Sequence, residues 1–234
     1  MSFYDNYNKE RPKITKLGTK LVNYRNKFFI KLIKQYKKNK IKLLEIGPGK
    51  GYFAEQCILY GIDYEGIEGC KSLYLKLKEK GLKVYHSIVP PIKINRKFDV
   101  IFMNQVFEHM GNNKETQKLL ENCRGKLNEN GLLIISCPDI MFWKEDFFAG
   151  DYTHTNPTSI INVQQILFDN NFKTLKKGYY TLWFESSLIC YLITNLTRFF
   201  YNLGLFHLFF GKRAYKIKTV LLPSCYFITR KGSD

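Results

Sequence analysis

Apolar residues recur at helical spacing near the amino end of the chain. Between residues 14 and 38 they alternate with lysines, standing at Leu17, Leu21, Tyr24, Phe28, Phe29, Leu32, Ile33 and Tyr36. A spacing close to i, i+4, i+7 and i+11 is typical of an amphipathic helix with one buried face. The pattern therefore predicts an amino-terminal helix that packs on the core.

Short apolar runs and helical segments then alternate along the chain. Strands are predicted at Lys42 to Ile46, Tyr64 to Glu68, Leu82 to His86, Phe98 to Met103, Leu132 to Ser136 and Phe172 to Tyr179. Helices are predicted at Tyr52 to Tyr60, Ser72 to Lys80, Lys114 to Leu127 and Ser159 to Asn170. Repeated β-α units predict an α/β fold with helices on both faces of a mostly parallel sheet.

The carboxyl-terminal part breaks this rhythm. An aromatic and polar loop is expected from Pro138 to Pro157, and the segment Leu182 to Phe210 is strongly apolar. Thr219 to Lys231 then predicts a final strand, interrupted by Pro223. The chain is expected to be a single domain, with an apolar helical insert before its last strand.

Composition and charge narrow the class of protein. Hydrophobic residues make up 45% and aromatic residues 16% of the 234 residues, which excludes a disordered chain. Lysine and arginine outnumber aspartate and glutamate by 37 to 20, giving a formal net charge of +17. Such a charge favours polyanions such as nucleic acid, anionic lipid or phosphorylated sugars, although solvated lysines can also follow from compositional bias.

The cysteines and the amino terminus bear on compartment and metals. The six cysteines show neither a CxxC motif nor a Cys/His ligand spacing, so neither disulfides nor a metal are expected. The opening residues MSFYDNYNKERPK lack the apolar core of a signal peptide. The expected localisation is cytoplasmic, with any membrane contact peripheral and from the inner face.

A cluster of glycines follows the first predicted strand, at Gly47, Gly49 and Gly51. Alternating glycines let the backbone turn sharply and approach a ligand that a Cβ would push away. Tyr52 stands where a dinucleotide fingerprint requires glycine, and Leu44 stands where a Walker A loop requires one. Both pyrophosphate-binding interpretations are therefore weakened.

Glu68 closes the second predicted strand, 17 residues beyond Gly51. A carboxylate at this position can accept hydrogen bonds from both hydroxyls of a ribose. Together with the glycine loop, it indicates a nucleoside ligand that lacks a pyrophosphate.

Three blocks of sequence carry a resemblance to a known family. They are the loop LLEIGPGKGYF, the acidic segment YEGIEG and the fourth-strand segment FDVIFMNQVFEHM, with GLLIISCPD fitting a fifth strand. In this order the chain resembles the class I S-adenosylmethionine-dependent methyltransferases, in particular the type 11 and type 23 small-molecule branch. The resemblance covers roughly residues 40–180. It implies a Rossmann-like fold with a seven-stranded sheet. In chain order, the segments would be a helical extension at 1–40, a cofactor-binding core at 41–181, an apolar helical insert at 182–218 and a last strand at 219–234.

The resemblance also implies a cofactor and its site. The cofactor would be S-adenosylmethionine, with S-adenosylhomocysteine as the product. Its methionine and ribose portions would lie at Glu45, Gly47, Gly49 and Gly51, its ribose diol at Glu68, its adenine at Ser87 and Ile88, and its sulfonium near Asn104 and Gln105. The acid that often stands beside the adenine in this family is missing here.

Candidate catalytic residues that would act on the methyl acceptor lie in two places. His154 and Asp151 form a D-x-x-H loop, which resembles a loop found in sugar and glycan methyltransferases. A histidine is partly neutral near pH 7 and can take a hydroxyl proton, with the aspartate orienting its ring or the substrate. His109 is the second candidate base. Alternatively, His154 caps the following helix or packs against Trp143.

Other methyl acceptors fit the motifs less well. The segment NQVFEH stands where enzymes that methylate amino nitrogens place an NPPY-like motif, which argues against adenine or glutamine nitrogen. Cys137 precedes Pro138, the reverse of the order in cytosine-C5 enzymes.

The apolar insert leaves three interpretations open. Arg198, Asn195 and Asn202 lie within it and disfavour a membrane-spanning helix. Residues 187–218 could contact an anionic membrane surface, cover the acceptor site as a lid, or form a homodimer contact.

The sequence thus favours an O-methyltransferase that acts on a hydroxyl of a sugar or glycan precursor in surface-polysaccharide biosynthesis. A quinone or lipid-precursor O-methyltransferase at the membrane surface is the alternative. An RNA methyltransferase rests on net charge alone, so no nucleic-acid partner is expected. A non-catalytic cofactor-binding fold is the remaining alternative.

Overall fold

The computed structural model describes residues 15–182 and 184–232. Seven strands in this part of the chain form one sheet: β1 Lys42–Ile46, β2 Asp63–Glu68, β3 Val84–His86, β4 Phe98–Asn104, β5 Leu127–Pro138, β6 Phe172–Tyr180 and β7 Ser224–Lys231. Their order is β3-β2-β1-β4-β5-β7-β6. Only β7 runs antiparallel to its neighbours among these pairs. The expected seven-stranded, mostly parallel sheet is confirmed.

Helices cover both faces of this sheet. They are α1 Lys16–Tyr36, α2 Tyr52–Leu59, α3 Lys71–Glu79, α4 Asn113–Lys126, α5 Ile140–Trp143, α6 Asp146–Ala149, α7 Ile160–Asp169, α8 Ser187–Asn202, α9 Leu205–Phe210 and α10 Ala214–Leu221, with 3-10 turns at Phe107–His109 and Gly211–Arg213. The predicted amino-terminal helix is present, and the Thr15 hydroxyl caps it by accepting the Gly18 N–H. Residues 1–14 of the expected extension lie outside the described residues.

The central strand β4 shows how the sheet is buried on both sides. Val100 and Phe102 belong to the core that includes α1, where the Phe102 and Phe29 rings lie 5.0 Å apart. Ile101 and Met103 point the other way, into the core formed with α4 and α7. Because neighbouring strand residues face opposite sides, a continuous apolar run fits a strand covered twice. Burial of each such side chain contributes about 2 kcal/mol.

Two predicted strand boundaries are wrong for local reasons. Leu82 is not in β3, because its N–H bonds to the Leu77 carbonyl and Gly81 takes a φ of +75°. This arrangement ends helix α3 and delays the strand to Val84. In the other direction, β5 begins at Leu127, well before the predicted start at Leu132.

The predicted end of the chain also needs correction. Thr219 and the residues after it continue helix α10 to Leu221, and β7 begins only at Ser224, after Pro223. The insert therefore extends beyond its predicted end at residue 218. A buried ion pair between Lys218 and Asp146 holds α10 in place, a contact that no local pattern encodes. The predicted loop Pro138 to Pro157 likewise contains the short helices α5 and α6.

Among the described residues, no helix combines the length and the apolarity that a membrane span requires.

Candidate active site

The glycine loop lies at the carboxyl end of β1. Gly47, Gly49 and Gly51 adopt φ values of +73°, +59° and +80°, a region that L side chains rarely enter. A Cβ on Gly47 would lie 2.6 Å from Val106 Cγ2, and one on Gly51 would lie 2.7 Å from Leu77 Cδ2. Among the described residues nothing lies within 4 Å of a Cβ on Gly49. The outer glycines are thus required by packing, whereas the middle one faces space that a ligand can enter.

Glu68 connects this loop to the end of β2. One carboxylate oxygen accepts the Gly49 N–H at 2.9 Å, and the other accepts the Cys70 N–H at 2.9 Å. Burial raises the pKa of Glu68, while these N–H groups oppose the rise. A carboxylate oxygen can accept two hydrogen bonds. Because the backbone N–H of Gly69 also bonds to this carboxylate, its two oxygens together keep one acceptor position, which a ribose hydroxyl can fill.

Ser87 and Ile88 line a cleft beside Glu68. The cleft has a volume of about 620 Å³, and its other lining residues include Gly69, Cys70 and His86. The side chain of Ile88 is 77% exposed. This placement leaves an apolar surface open at the end of β3, where the sequence predicts the adenine.

Glu45 lies buried at the end of β1 and accepts a 2.6 Å hydrogen bond from the Tyr64 hydroxyl. Burial raises the pKa of Glu45 to about 8, and the nearby charge of Glu68 acts in the same direction. The hydrogen bond from Tyr64 and the positive charge of Arg25 act against this rise. Helix α1 therefore brings a cation close to the cofactor loop. The buried Arg25 Nε has no hydrogen-bond partner among the described residues. No sequence pattern distinguishes Arg25, because α1 carries many basic residues.

Asn104 and Gln105 lie where β4 ends. Gln105 adopts a φ of +58° and its Nε2 donates to the Ser224 hydroxyl at 3.2 Å. Asn104 Oδ1 accepts from the Tyr180 hydroxyl at 3.4 Å, and Tyr180 also contacts Ser136 Oγ at 2.8 Å. The structure thus adds Tyr180 and Ser136 to the predicted residues. Only the sheet order, which places β4, β5, β7 and β6 in succession, brings these side chains together.

The two candidate bases meet beyond β4. The rings of His109 and His154 lie 4.9 Å apart in a T-shaped arrangement. Glu108 lies beside them, and the three residues offer ligand-type atoms that all lie within 4.8 Å of one another. Burial raises the pKa of Glu108 to about 8, opposed by its own backbone N–H and reinforced by Asp151. Burial also lowers the pKa of His109, which favours the neutral ring.

Hydrogen bonds fix both imidazole rings. His154 Nδ1 lies 2.6 Å from the Phe147 carbonyl, and His109 Nδ1 lies 2.8 Å from Thr153 Oγ1. The Thr153 hydroxyl donates to Asp151 at 2.6 Å. Asp151 is therefore linked through Thr153 to the ring of His109, although the sequence suggested a role beside His154.

The predicted structural roles for His154 are not observed. Ser159 caps helix α7 by accepting the Asn162 N–H. The indole of Trp143 donates to the Pro223 carbonyl at 2.8 Å. His154 instead packs against Phe147, with ring centroids 5.0 Å apart, and against His109.

A seven-stranded sheet in this order, with a glycine loop after β1 and an acid at the end of β2, defines a class I S-adenosylmethionine-dependent methyltransferase fold. The chain belongs to the methyltransferase domain family, type 23, whose model matches residues 20–178. The chain thus carries a methyltransferase domain of the class that uses S-adenosylmethionine as its cofactor.

Similar proteins agree with this class. The ubiquinone biosynthesis O-methyltransferase of Rickettsia canadensis (strain McKiel) is 28% identical over 104 residues, which cover 42% of this chain and 43% of that relative. A SAM dependent methyltransferase from Archaeoglobus fulgidus has a similar fold, with a TM-score of 0.63, 19% identity and coverage of 91% of this chain and 94% of that chain. N-methyltransferase NodS from Bradyrhizobium japonicum WM9, in complex with S-adenosyl-L-homocysteine, gives a TM-score of 0.59 at 12% identity, covering 89% and 86% of the two chains.

Proposed function

We propose that this methyltransferase transfers its methyl group to a hydroxyl of a sugar or glycan precursor in surface-polysaccharide biosynthesis. The acceptor oxygen forms a bond to the methyl carbon while the carbon–sulfur bond breaks and leaves its electron pair on sulfur. The hydroxyl proton passes to a base. Because the sulfonium is already a good leaving group, alignment and proton removal are the main tasks of the protein.

The observation that carries this proposal is the meeting of His154 and His109 beyond the end of β4. Because His154 Nδ1 lies 2.6 Å from a carbonyl oxygen, which can only accept, this nitrogen carries the hydrogen. The neutral ring then has its lone pair on Nε2, which suits a base. The D-x-x-H loop that provides His154 is the one that resembles sugar and glycan methyltransferases.

Cofactor and acceptor are tested in sequence. Isothermal titration should show binding of S-adenosylmethionine and S-adenosylhomocysteine, weakened at least tenfold in Glu68→Ala. A screen of nucleotide sugars and lipid-linked glycans should then reveal a methylated product by mass spectrometry. His154→Ala should abolish turnover and leave cofactor affinity within a few fold. Unchanged turnover in His154→Ala would remove it as the base, and the absence of any methylated sugar would reject the acceptor class.

A second candidate function is methylation of a quinone or lipid precursor at a membrane surface. The observation that favours it is the inverted amphipathicity of α8. Cys190, Thr194 and Thr197 are its buried residues. Large apolar side chains face outward instead, with 51–67% exposure at Leu188, Leu192, Leu196 and Phe199. An exposed apolar face of this extent is typical of an interaction site.

Charge favours an anionic lipid surface as the partner of α8 and α9. No acidic residue occurs in the sequence between Glu185 and Asp234. Exposed basic residues follow the apolar face directly, at Lys212, Arg213 and Lys216. An apolar face flanked by cations suits an interfacial helix.

Vesicle sedimentation tests this contact. The protein should pellet with phosphatidylglycerol vesicles, bind them more weakly at high salt, and lose binding in Leu192→Ser/Phe199→Ser. Phe168→Ser is the matched control, because Phe168 is 78% exposed and belongs to α7 instead of α8. Sedimentation velocity distinguishes the other occupants of the face. If the protein binds no vesicles and forms a dimer that the same double substitution dissociates, the face contacts a second copy of the chain. If it binds no vesicles and is a monomer, the lid interpretation remains.

A further inference from the structure

Glu108 is a buried carboxylate beside which the described residues place no lysine or arginine. Its side chain is inaccessible to solvent, and neither carboxylate oxygen has a hydrogen-bond partner in another described residue. Buried carboxylates in proteins normally pair with a cation, a metal or several donors. The position of Glu108 beside two imidazoles indicates that a cation belongs there.

We propose that Glu108, His109 and His154 bind a divalent first-row transition-metal ion. Their ligand-type atoms all lie within 4.8 Å of one another. Zinc takes nitrogen and oxygen donors at about 2.1 Å, so the donor atoms around it lie roughly 3.5 Å apart. Metal binding therefore requires the three side chains to draw closer together.

The two rings are oriented for this role. Thr153 Oγ1 donates its hydrogen to Asp151, so it accepts from His109 Nδ1. The Phe147 carbonyl likewise accepts from His154 Nδ1. Each neutral ring then presents the lone pair of Nε2. Histidine ligands in metal sites typically donate their other N–H to a carbonyl or a carboxylate in this way, which fixes the tautomer.

The donor set selects the class of ion. Two imidazole nitrogens and one carboxylate suit zinc, iron or manganese, whereas magnesium and calcium prefer oxygen ligands. Three protein ligands leave at least one position for another molecule, as in catalytic zinc sites. The open position would take water or the acceptor hydroxyl.

Activation of the acceptor hydroxyl by the bound ion is an inference that rests on the proposed function and deepens it. A hydroxyl bound to a divalent ion loses its proton more readily, because the ion stabilises the alkoxide. With the ion bound, the two histidines hold it and the hydroxyl proton passes to solvent. In the ion-free site, His154 Nε2 takes the proton directly. The site then selects acceptors whose hydroxyl can reach the ion.

Metal binding is measured without an acceptor. Chelator-treated wild-type protein should bind one equivalent of Zn²⁺ in calorimetry, and it should reduce the free Mn²⁺ signal in electron paramagnetic resonance. Glu108→Gln and His154→Gln should weaken Zn²⁺ binding at least tenfold. His207→Gln is the matched control, because His207 is an exposed histidine on α9, and its affinity should equal that of the wild type.

Circular dichroism and S-adenosylhomocysteine binding verify that each variant is folded. Equal Zn²⁺ affinity in the wild type and in both site variants would overturn the proposal, as would the absence of binding by the wild type. Metal binding without methylation of any hydroxyl would reject the proposed function alone. Full methylation after chelation would reject the role of the ion.

Discussion

Two glycines of the cofactor loop differ in what a methyl group would meet. A Cβ at residue 47 collides with Val106, whereas a Cβ at residue 49 meets no described atom within 4 Å. Both residues have positive φ, so either substitution adds backbone strain of about 1 kcal/mol. Gly47→Ala also overpacks the core, which adds about 2 kcal/mol.

We therefore expect Gly47→Ala to lower the free energy of unfolding by about 3 kcal/mol and Gly49→Ala by about 1 kcal/mol. Urea denaturation measures both values. Adding Val106→Ala should recover part of the loss in Gly47→Ala only. Equal losses in the two single variants would contradict the packing argument.

Glu45 should make stability depend on pH. Its native pKa of about 8 lies above that of an unfolded glutamate, so the native state binds more protons between these two values. The free energy of unfolding then falls as pH rises from about 4.5 to about 8, by about 1.4 kcal/mol for each unit of pH where the difference is one proton. Below this window both states are protonated, and above it both are ionised.

Glu45→Gln should remove this component. Urea denaturation across that pH window should show that the variant gains stability relative to the wild type as pH rises. Glu129→Gln, at an exposed position, is the control and should follow the wild-type profile. Parallel profiles for Glu45→Gln and the wild type would show that Glu45 titrates normally.

At the scale of elements, Asp146 ties α6 to the helical insert. It is 3% exposed and lies 2.7 Å from the ammonium of Lys218, which is itself 6% exposed on α10. Arg198 of α8 donates to the Phe142 and Trp143 carbonyls at 2.9 and 2.8 Å. These polar contacts attach the insert to the loop that leads to His154.

Asp146→Ala should destabilise the protein by about 3 kcal/mol, because it leaves a buried ammonium without its partner. Adding Lys218→Met should restore most of the loss. The control is Glu145→Ala: the carboxylate pairs with Arg198 at 3.0 Å but is 70% exposed, so its loss should be under about 1 kcal/mol. Equal effects of Asp146→Ala and Glu145→Ala on thermal unfolding would exclude a special role for the buried pair.

At the scale of the whole molecule, the cofactor should stabilise the fold. A ligand present at about 100 times its Kd adds about 2.7 kcal/mol to the free energy of unfolding. For a domain of this size, that corresponds to a rise in Tm of roughly 5–10 °C. S-adenosylhomocysteine should produce this shift in the wild type, measured by differential scanning fluorimetry.

Two comparisons make the thermal shift specific. NAD should give no shift, because Tyr52 occupies the position of the third glycine of a dinucleotide loop. Glu68→Ala should lose most of the shift at the same ligand concentration. A shift that persists in Glu68→Ala would show that the cofactor does not depend on this carboxylate.

Much of the fold could be predicted because its signals are local. Strand β1, the glycine loop and helix α2 follow one another within a short stretch, and Glu68 ends the next strand. The order of apolar runs and helical segments therefore determined the α/β class, the mostly parallel sheet and the edge of the sheet where the cofactor site lies.

Only the tertiary structure decided which distant side chains meet. It placed Glu108 beside His154, linked Asp151 to His109 through Thr153, and brought Tyr180 to Asn104. It also made Thr219 helical and turned the apolar face of α8 outward. The physical reason is that hydrophobic periodicity reports local conformation and the face to be buried, whereas pairing between distant segments depends on sheet order and on the packing of whole helices.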